Sequence, residues 1–488
     1  MPLGPAFAPR DTAATSLAVR FRSTRALTLD LVAPLAPEDF AVQSMPDASP
    51  AKWHLAHTSW FFEQFVLAPH LPGYRAFDER FTYLFNSYYE SVGPRHRRPD
   101  RGLLTRPTIE EVRAYRAHIN EWMERWFGRP RAVGRLGTSP ARSAESNVTT
   151  QPIHPEHAGR ALEVADVEAI IELGINHEQQ HQELLLTDIK HLFSCNPIWP
   201  AYTQLPAAHA REGAPAQDAG RLAFDRFTDG IYEIGHASPG HGEAEANDFC
   251  FDNETPRHRV YLNAFALADR LITNAEYRDF IRGRGYERPE LWLSDGWATV
   301  QSQDWMRPIY WSESLESEFT LGGERELAPD APVCHVSFYE ADAFARWAQM
   351  RLPSEAEWEV AAHYHPIRGN LLRSGAPLDG SGRRTSSVAN ALHPRPASPA
   401  TTHTHTPRQL FGDVWEWTSS PYSAYPGFTP LAGTLGEYNG KFMANQFVLR
   451  GGSCATPASH IRATYRNFFY PHARWQFSGI RLARGAAA

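Results

Sequence analysis

The sequence predicts an α + (α+β) architecture: a four-helix bundle over residues 1–203, a linker at 204–221 and an irregular α+β domain over 222–488. Three observations carry this expectation. Apolar residues recur at helical spacing as far as Phe193, short β-like runs replace them afterwards, and the polar stretch QLPAAHAREGAPAQDAGR separates the two textures. The length agrees, because 488 residues exceed one hydrophobic core and suggest about two to four domains.

Each element has its own signal. Leu17, Phe21, Leu27 and Leu31 mark a first helix that stops before Pro34, where a helix loses a donor and gains a clash. A second helix runs from about Ala51 to Leu67. Thr108 and Glu111 form a capping box that opens a third, whose Ile109, Val112, Tyr115, Ile119, Trp122, Met123 and Trp126 fall on one stripe. The fourth runs from about Val164 to Phe193. Four amphipathic helices imply a bundle with a site built from inward-facing side chains. Residues 128–160, rich in Gly, Pro, Ser and Arg and without apolar period, read as a mobile insertion. Its Asn147-Val148-Thr149 sequon is a chance match. Beyond the linker, Ile231–Ile234, Arg259–Leu262 and Phe447–Arg450 read as strands, and Asn274–Ile281 and Phe338–Met350 as helices. Residues 366–408 read as a long loop in which His403 and His405 are solvated.

Composition excludes several classes. Hydrophobic residues at 42% and charged residues at 21% are globular values, not those of a disordered or fibrous chain. A net charge of -7 opposes nucleic-acid binding, which needs a positive field. No run of apolar residues is long enough for a transmembrane helix, and the N-terminus lacks the pattern of an export signal. Cys195, Cys250, Cys334 and Cys454 lie far apart without CxxC pairing, as expected of reduced cytoplasmic thiols.

The sharpest motif is Asn176-His177-Glu178-Gln179-Gln180-His181. His177 and His181 project from one helix face, on the stripe Val167, Ile170, Gly174, His177, His181, Leu184 and Asp188, and interrupt its apolar row. Burying two imidazoles without partners is costly, and a shared metal satisfies both. Paired core histidines are the competing structural reading. A third ligand must come from another helix, and Trp53-His54-Leu55-Ala56-His57 offers two. His57 shares the face of Trp53 and Phe61, whereas His54 is offset, so His57 is the expected ligand and His54 a structural residue. His177-Glu-Gln-Gln-His181 also fits the H-E-x-x-H pattern of zinc hydrolases with Glu178 as base. The longer metzincin pattern fails, because Leu184 and Thr187 stand where Gly and His are required. A non-catalytic binder that uses the C-terminal domain is a third class.

Together these residues resemble a known family. Trp53–His57 with His177 and His181 resembles the DinB-like four-helix bundle. Phe251–Leu262, Arg351–Trp358, Gly412–Trp417 and Arg450–Ser453 resemble the formylglycine-generating-enzyme (sulfatase-modifying factor) fold, an elaborated C-type-lectin-like domain. The two in this order are similar to the ergothioneine sulfoxide synthases and the selenoneine synthases. Formylglycine chemistry is not implied, because that fold's C-terminal cysteine pair is missing; Cys454 and the tryptophans Trp415 and Trp417 read as core.

The resemblance implies Fe(II) held by His57, His177 and His181, with dioxygen as co-substrate and three metal positions left open. It implies C–S or C–Se bond formation at imidazole C2 of hercynine, the trimethylated betaine of histidine, with cysteine or a selenosugar as donor. It places Gln180 near the substrate imidazole and Asn467 at the substrate carboxylate. Tyr88 and Tyr89 are the candidates for a catalytic tyrosine supplied by the bundle. Arg95 and Arg98 are candidates for a carboxylate clamp, since the guanidinium fork suits it. Phe468 and Phe469 are candidates for the trimethylammonium group, which an aromatic face attracts. Phe469 replaces the acidic residue that holds the donor ammonium in the actinobacterial branch, which argues against γ-glutamylcysteine. The residue pattern leaves a structural calcium in the C-terminal loops open.

Overall fold

The computed structural model describes residues 16–129, 164–203, 220–237, 249–363, 365–373, 392–398, 407–431 and 433–486. Most of the insertion at 128–160, with its sequon, most of the 204–221 linker, and His403 and His405 lie outside the described residues.

The bundle consists of α1 (Leu17–Val32), α2 (Ala51–Phe62), α3 (Ile109–Phe127) and α4 (Val164–Ser194). Ser16 caps α1, and the Thr108–Glu111 box caps α3 reciprocally: Thr108 Oγ1 accepts from the Glu111 amide at 3.2 Å, and the Glu111 carboxylate accepts from the Thr108 amide at 2.6 Å. The third helix buries its expected stripe, with Trp122 half-buried at its edge. One expectation is corrected. The second helix is not amphipathic, since every residue from Ala51 to Phe62 is buried. It packs on both α3 and α4 and continues through a π-helical turn, Glu63–Leu67, so no face reaches water. Gly174 on α4 permits this close approach: a Cβ there would lie 2.6 Å from the Phe62 ring and 2.9 Å from that of Phe61.

The C-terminal domain contains β1 (Phe224–Phe227), β2 (Gly230–Ile234), β3 (His258–Leu262), β4 (Phe265–Ala268), β5 (Ser317–Thr320) and β6 (Gly323–Glu326). It continues with β7 (Trp415–Pro421), β8 (Phe447–Arg450), β9 (Asn467–Phe469), β10 (Ser478–Gly479) and β11 (Ala483–Gly485). The expected helices appear as α5 (Asn274–Arg282) and α7 (Phe338–Trp347), with α6 (Ser294–Gln303) between them and α8 (Glu355–His363) after. Strands β1, β4 and β11 form one sheet, and β10, β7, β8 and β9 another. In the second, β9 pairs antiparallel to β8 with Leu449 opposite Asn467 and Phe447 opposite Phe469. This register sets Asn467–Phe469 on an edge strand. Trp415 and Trp417 on β7 are buried, and Trp417 donates its indole N–H to the Val336 carbonyl at 2.9 Å.

The two domains meet along a polar stripe of α4. Gln179 donates to Ser459 at 2.7 Å, and Asn176 pairs with His460 at 3.0 Å. Glu183 accepts from Trp415 at 2.8 Å, from Thr456 at 2.7 Å and from Ser453. Lys190 reaches His335 at 2.7 Å. These positions are spaced by three, four and seven residues and so share one helix face. The C-terminal domain thereby sits beside the two α4 histidines.

Candidate metal centre and substrate cavity

His57 on α2 and His177 and His181 on α4 converge, with candidate ligand atoms within 4.8 Å of one another. Trp53, one turn before His57, stacks on its ring at 4.5 Å, and Phe61 lies 4.9 Å from the His177 ring. The helices thus hold the rings with aromatic neighbours. Burial, reinforced by neighbouring His177, moves the His57 pKa well below its ordinary value. Burial lowers His177 to about 3, and burial with the adjacent imidazoles lowers His181. All three are neutral near pH 7, the form that ligates.

Hydrogen bonds choose which nitrogen faces the centre. His57 Nδ1 lies 2.6 Å from the Phe85 carbonyl, which can only accept, so the proton sits on Nδ1 and Nε2 keeps its lone pair. Nε2 has no partner, and neither nitrogen of His177 has one. On the third ligand, His181 Nδ1 meets His54 Nδ1 at 2.9 Å, and His54 Nε2 meets the Asp188 carboxylate at 3.1 Å. The carboxylate fixes the His54 proton on Nε2, so His54 Nδ1 accepts and His181 Nδ1 donates. This leaves His181 Nε2 for a metal. His54, expected as structural, is therefore the link that orients a ligand. Ser49 steadies the far end by donating its amide to Asp188 at 2.8 Å. Three neutral nitrogens with open positions beside them fit a hexacoordinate iron(II) site, with histidine where the facial triad has a carboxylate.

Glu178 turns the other way. It is fully buried and accepts from Arg25 at 3.1 Å, from Thr28 at 2.6 Å and from Arg116. Burial alone would raise its pKa, but the two guanidiniums outweigh it and hold the carboxyl at about 2. A carboxylate committed to the bundle interior is not a general base at the metal, and the zinc-hydrolase reading loses its essential group.

A cavity of about 380 Å³ opens beside the histidines, between the bundle and the C-terminal domain. Gln180, Asn467, Phe468, Phe469, Tyr88 and Arg98 line it. Gln180 donates to the Tyr465 hydroxyl at 2.7 Å and accepts from that of Tyr438, so two tyrosines of the other domain hold its amide. Asn467 uses its own carbonyl oxygen to accept the Phe468 amide at 2.9 Å. The Phe468 ring stacks on Tyr422 at 3.9 Å.

Two expected residues lie elsewhere. Arg95 pairs with Glu90 and does not line the cavity. Tyr89 is packed behind Tyr88 against Trp60 and Phe65, and its hydroxyl has no well-directed partner.

Two residues escaped the sequence reading. Arg101, 2% exposed, lines the cavity, lies 3.3 Å over the Trp53 ring and donates to Ser49 at 2.9 Å. Burial moves its pKa well below the usual value, and no carboxylate among the described residues forms an ion pair with it. The spacing Arg98-x-x-Arg101 repeats that of Arg95-x-x-Arg98, so sequence offers no preference between the pairs. Tyr438 lies with its ring 5.7 Å from that of His177 and stacks on Phe251 at 5.5 Å. Its loop is pinned to the Tyr88 segment, because Glu437 accepts from the Glu90 and Ser91 amides at 2.9 and 3.0 Å. No local signal distinguished Tyr438 from a surface tyrosine.

Among the described residues no helix is long and apolar enough to cross a membrane. Residues 20–185 match the DinB superfamily, and residues 233–486 match the sulfatase-modifying factor enzyme 1-like domain. The chain is 33% identical to the hercynine oxygenase of Mycolicibacterium smegmatis, over 75% of this chain and 89% of that protein. It is 34% identical to the hercynine oxygenase of Mycolicibacterium thermoresistibile, over 79% of this chain and 82% of that one. The formylglycine-generating enzyme of Streptomyces coelicolor is 29% identical over 51% of this chain and 85% of its own length. With a DinB-like bundle carrying three convergent imidazoles, a sulfatase-modifying-factor domain closing over them, and these relatives along most of its length, the chain belongs to the hercynine oxygenase family.

Proposed function

We propose that the protein is a non-heme Fe(II), dioxygen-dependent oxidoreductase that joins sulfur or selenium to imidazole C2 of hercynine, with a thiol such as cysteine or a selenosugar as donor. The observation that carries this reading is the set of three convergent, neutral imidazoles, two of them buried with ring nitrogens left unpaired, beside a cavity between the two domains. Iron held by His57, His177 and His181 would supply dioxygen activation and a common centre for both substrates, which makes their reaction effectively intramolecular.

The chain's own residues do the rest. Gln180, fixed by Tyr438 and Tyr465, orients the substrate imidazole. Asn467 and the guanidiniums of Arg98 and Arg101 receive carboxylate. The Phe468 and Phe469 faces receive the trimethylammonium group. Tyr88 lines the cavity, and burial raises its pKa and keeps its hydroxyl protonated as a proton source, while Tyr89 backs it from behind. The four cysteines are free, which supports a cytoplasmic setting. Aerobic incubation of iron-loaded protein with hercynine and each donor, read by mass spectrometry, should give a C2 adduct. Iron bound stoichiometrically with hercynine unchanged for every donor would refute the reading.

A further inference from the structure

Five side chains form a hydrogen-bonded chain that crosses the domain interface three times and ends at the cavity. It starts on α4, where Asn176 donates its amide to the Glu172 carbonyl at 3.0 Å and to the Glu172 carboxylate at 3.2 Å. Asn176 Oδ1 meets His460 Nδ1 at 3.0 Å, and His460 Nε2 meets the Tyr465 hydroxyl at 3.1 Å. Gln180, one turn along α4 from Asn176, continues the chain from Tyr465 to Tyr438. His460 itself is 2% exposed and does not line the cavity.

Each bond in this chain has one possible direction. A backbone carbonyl can only accept, so Asn176 turns its nitrogen toward Glu172 and its oxygen toward His460. His460 Nδ1 must then donate. Burial, reinforced by Arg462, holds the His460 pKa well below its ordinary value and keeps the ring neutral. Its Nε2 therefore has no proton and accepts from Tyr465. The Tyr465 oxygen receives the Gln180 N–H, which leaves the Gln180 carbonyl oxygen for the Tyr438 hydroxyl. The two ends of a glutamine amide have nearly the same shape, and only such partners decide which way it points. Tyr438 directs its single proton to Gln180, so it offers the cavity a lone pair.

That polarity suits one form of ligand. An imidazole that gives one nitrogen to a metal carries its proton on the other, and a site for it needs an acceptor. With the Gln180 amide reversed, its N–H would occupy the Tyr438 oxygen and turn the Tyr438 proton toward the cavity, setting donor against donor. We propose that His460 is a positioning residue that sets the Gln180 amide, through Tyr465, so that Tyr438 accepts the imidazole N–H of the substrate. The role rests on the hercynine reading above and adds to it a residue that acts from outside the cavity.

The test is calorimetric titration of hercynine into the anaerobic Fe(II) protein, with urea midpoints measured beside it. His460→Phe removes the acceptor of Tyr465, whose hydroxyl then turns to the Gln180 oxygen and reverses the amide, so hercynine should bind about ten-fold more weakly. Tyr465→Phe cuts the same chain at the next bond and should weaken binding equally. The double variant should bind no more weakly than either single one, because the chain is already broken. His460→Gln keeps a donor and an acceptor on one planar group and should restore binding to within about three-fold of wild type. Additive losses in the double variant would overturn the role. So would unchanged hercynine affinity in His460→Phe with a lowered urea midpoint, the signature of a purely structural residue. Failure of wild type to bind hercynine would instead overturn the hercynine reading and the role with it.

Discussion

Helix α4 carries two buried polar clusters on neighbouring residues, and they are finished to different degrees. Around Glu178, Arg25, Arg116 and Thr28 satisfy both carboxylate oxygens, so the charge is fully paired, and Gln182 joins by donating to Thr28 at 2.9 Å, with Arg116 Nε and Gln182 Oε1 left at the margin without partners. Around His177, one residue away, ring nitrogens stand buried with no partner. A buried charge whose oxygens are all paired stabilises and orients the bundle, whereas buried ring nitrogens with no partner are stable only because something else completes them. The difference separates the residue that keeps the fold from those that serve chemistry, although all lie in one H-E-x-x-H segment.

The largest effect should follow from opening the closed cluster. Glu178→Gln leaves two buried guanidiniums uncompensated and should cost about 3–5 kcal/mol, read as a fall in the urea midpoint. Because the folded carboxyl is held at about 2 against an ordinary 4.5, its contribution is complete above pH 4.5 and is lost as pH falls toward 2. Acid unfolding of wild type should show that loss, and the glutamine variant should not.

Next comes the open cluster. His177→Ala should abolish iron binding and turnover while changing metal-free stability far less than Glu178→Gln does, as seen by metal analysis and denaturation together. The sign of the pH dependence differs in its window. His177 is neutral when folded down to about pH 3 but protonates near 6.5 when unfolded, so metal-free wild type loses stability as pH drops below 6.5. The alanine variant should have a flatter profile there. An unchanged slope would show that His177 is not buried as a neutral ring.

The smallest effect should come from the link between the two kinds of cluster. His54→Ala removes the acceptor that sets the His181 tautomer and should weaken iron binding about 10- to 100-fold without abolishing it. Asp188→Asn should act in the same direction, since it weakens the hold on the His54 proton.

Periodicity was enough for much of this molecule. The helix of Thr108 and the stripe behind it, the strands at Ile231, Arg259 and Phe447, and the pair His177 and His181 were legible because capping and face-sharing are local properties of a few neighbouring residues. The arginines show where that stops. Arg95, Arg98 and Arg101 sit at equal spacing, the last two in the short 3-10 helix Arg98–Leu103, and only the packing of Trp53 and Ser49 against Arg101 decides which guanidinium is buried at the cavity.

The sequence by itself determined the bundle, the change of texture along the chain and the three imidazoles that converge as a candidate metal set, because each follows from side-chain periodicity or from the cost of burying an unpaired ring. Tertiary structure alone decided that α2 is buried on all sides, that Glu178 belongs to Arg25 and Arg116, and that Tyr438, Tyr465 and Gln476 face the same cavity as His177. Those partners are separated by up to hundreds of residues, and which of them meet depends on how two domains dock, a relation no local pattern encodes.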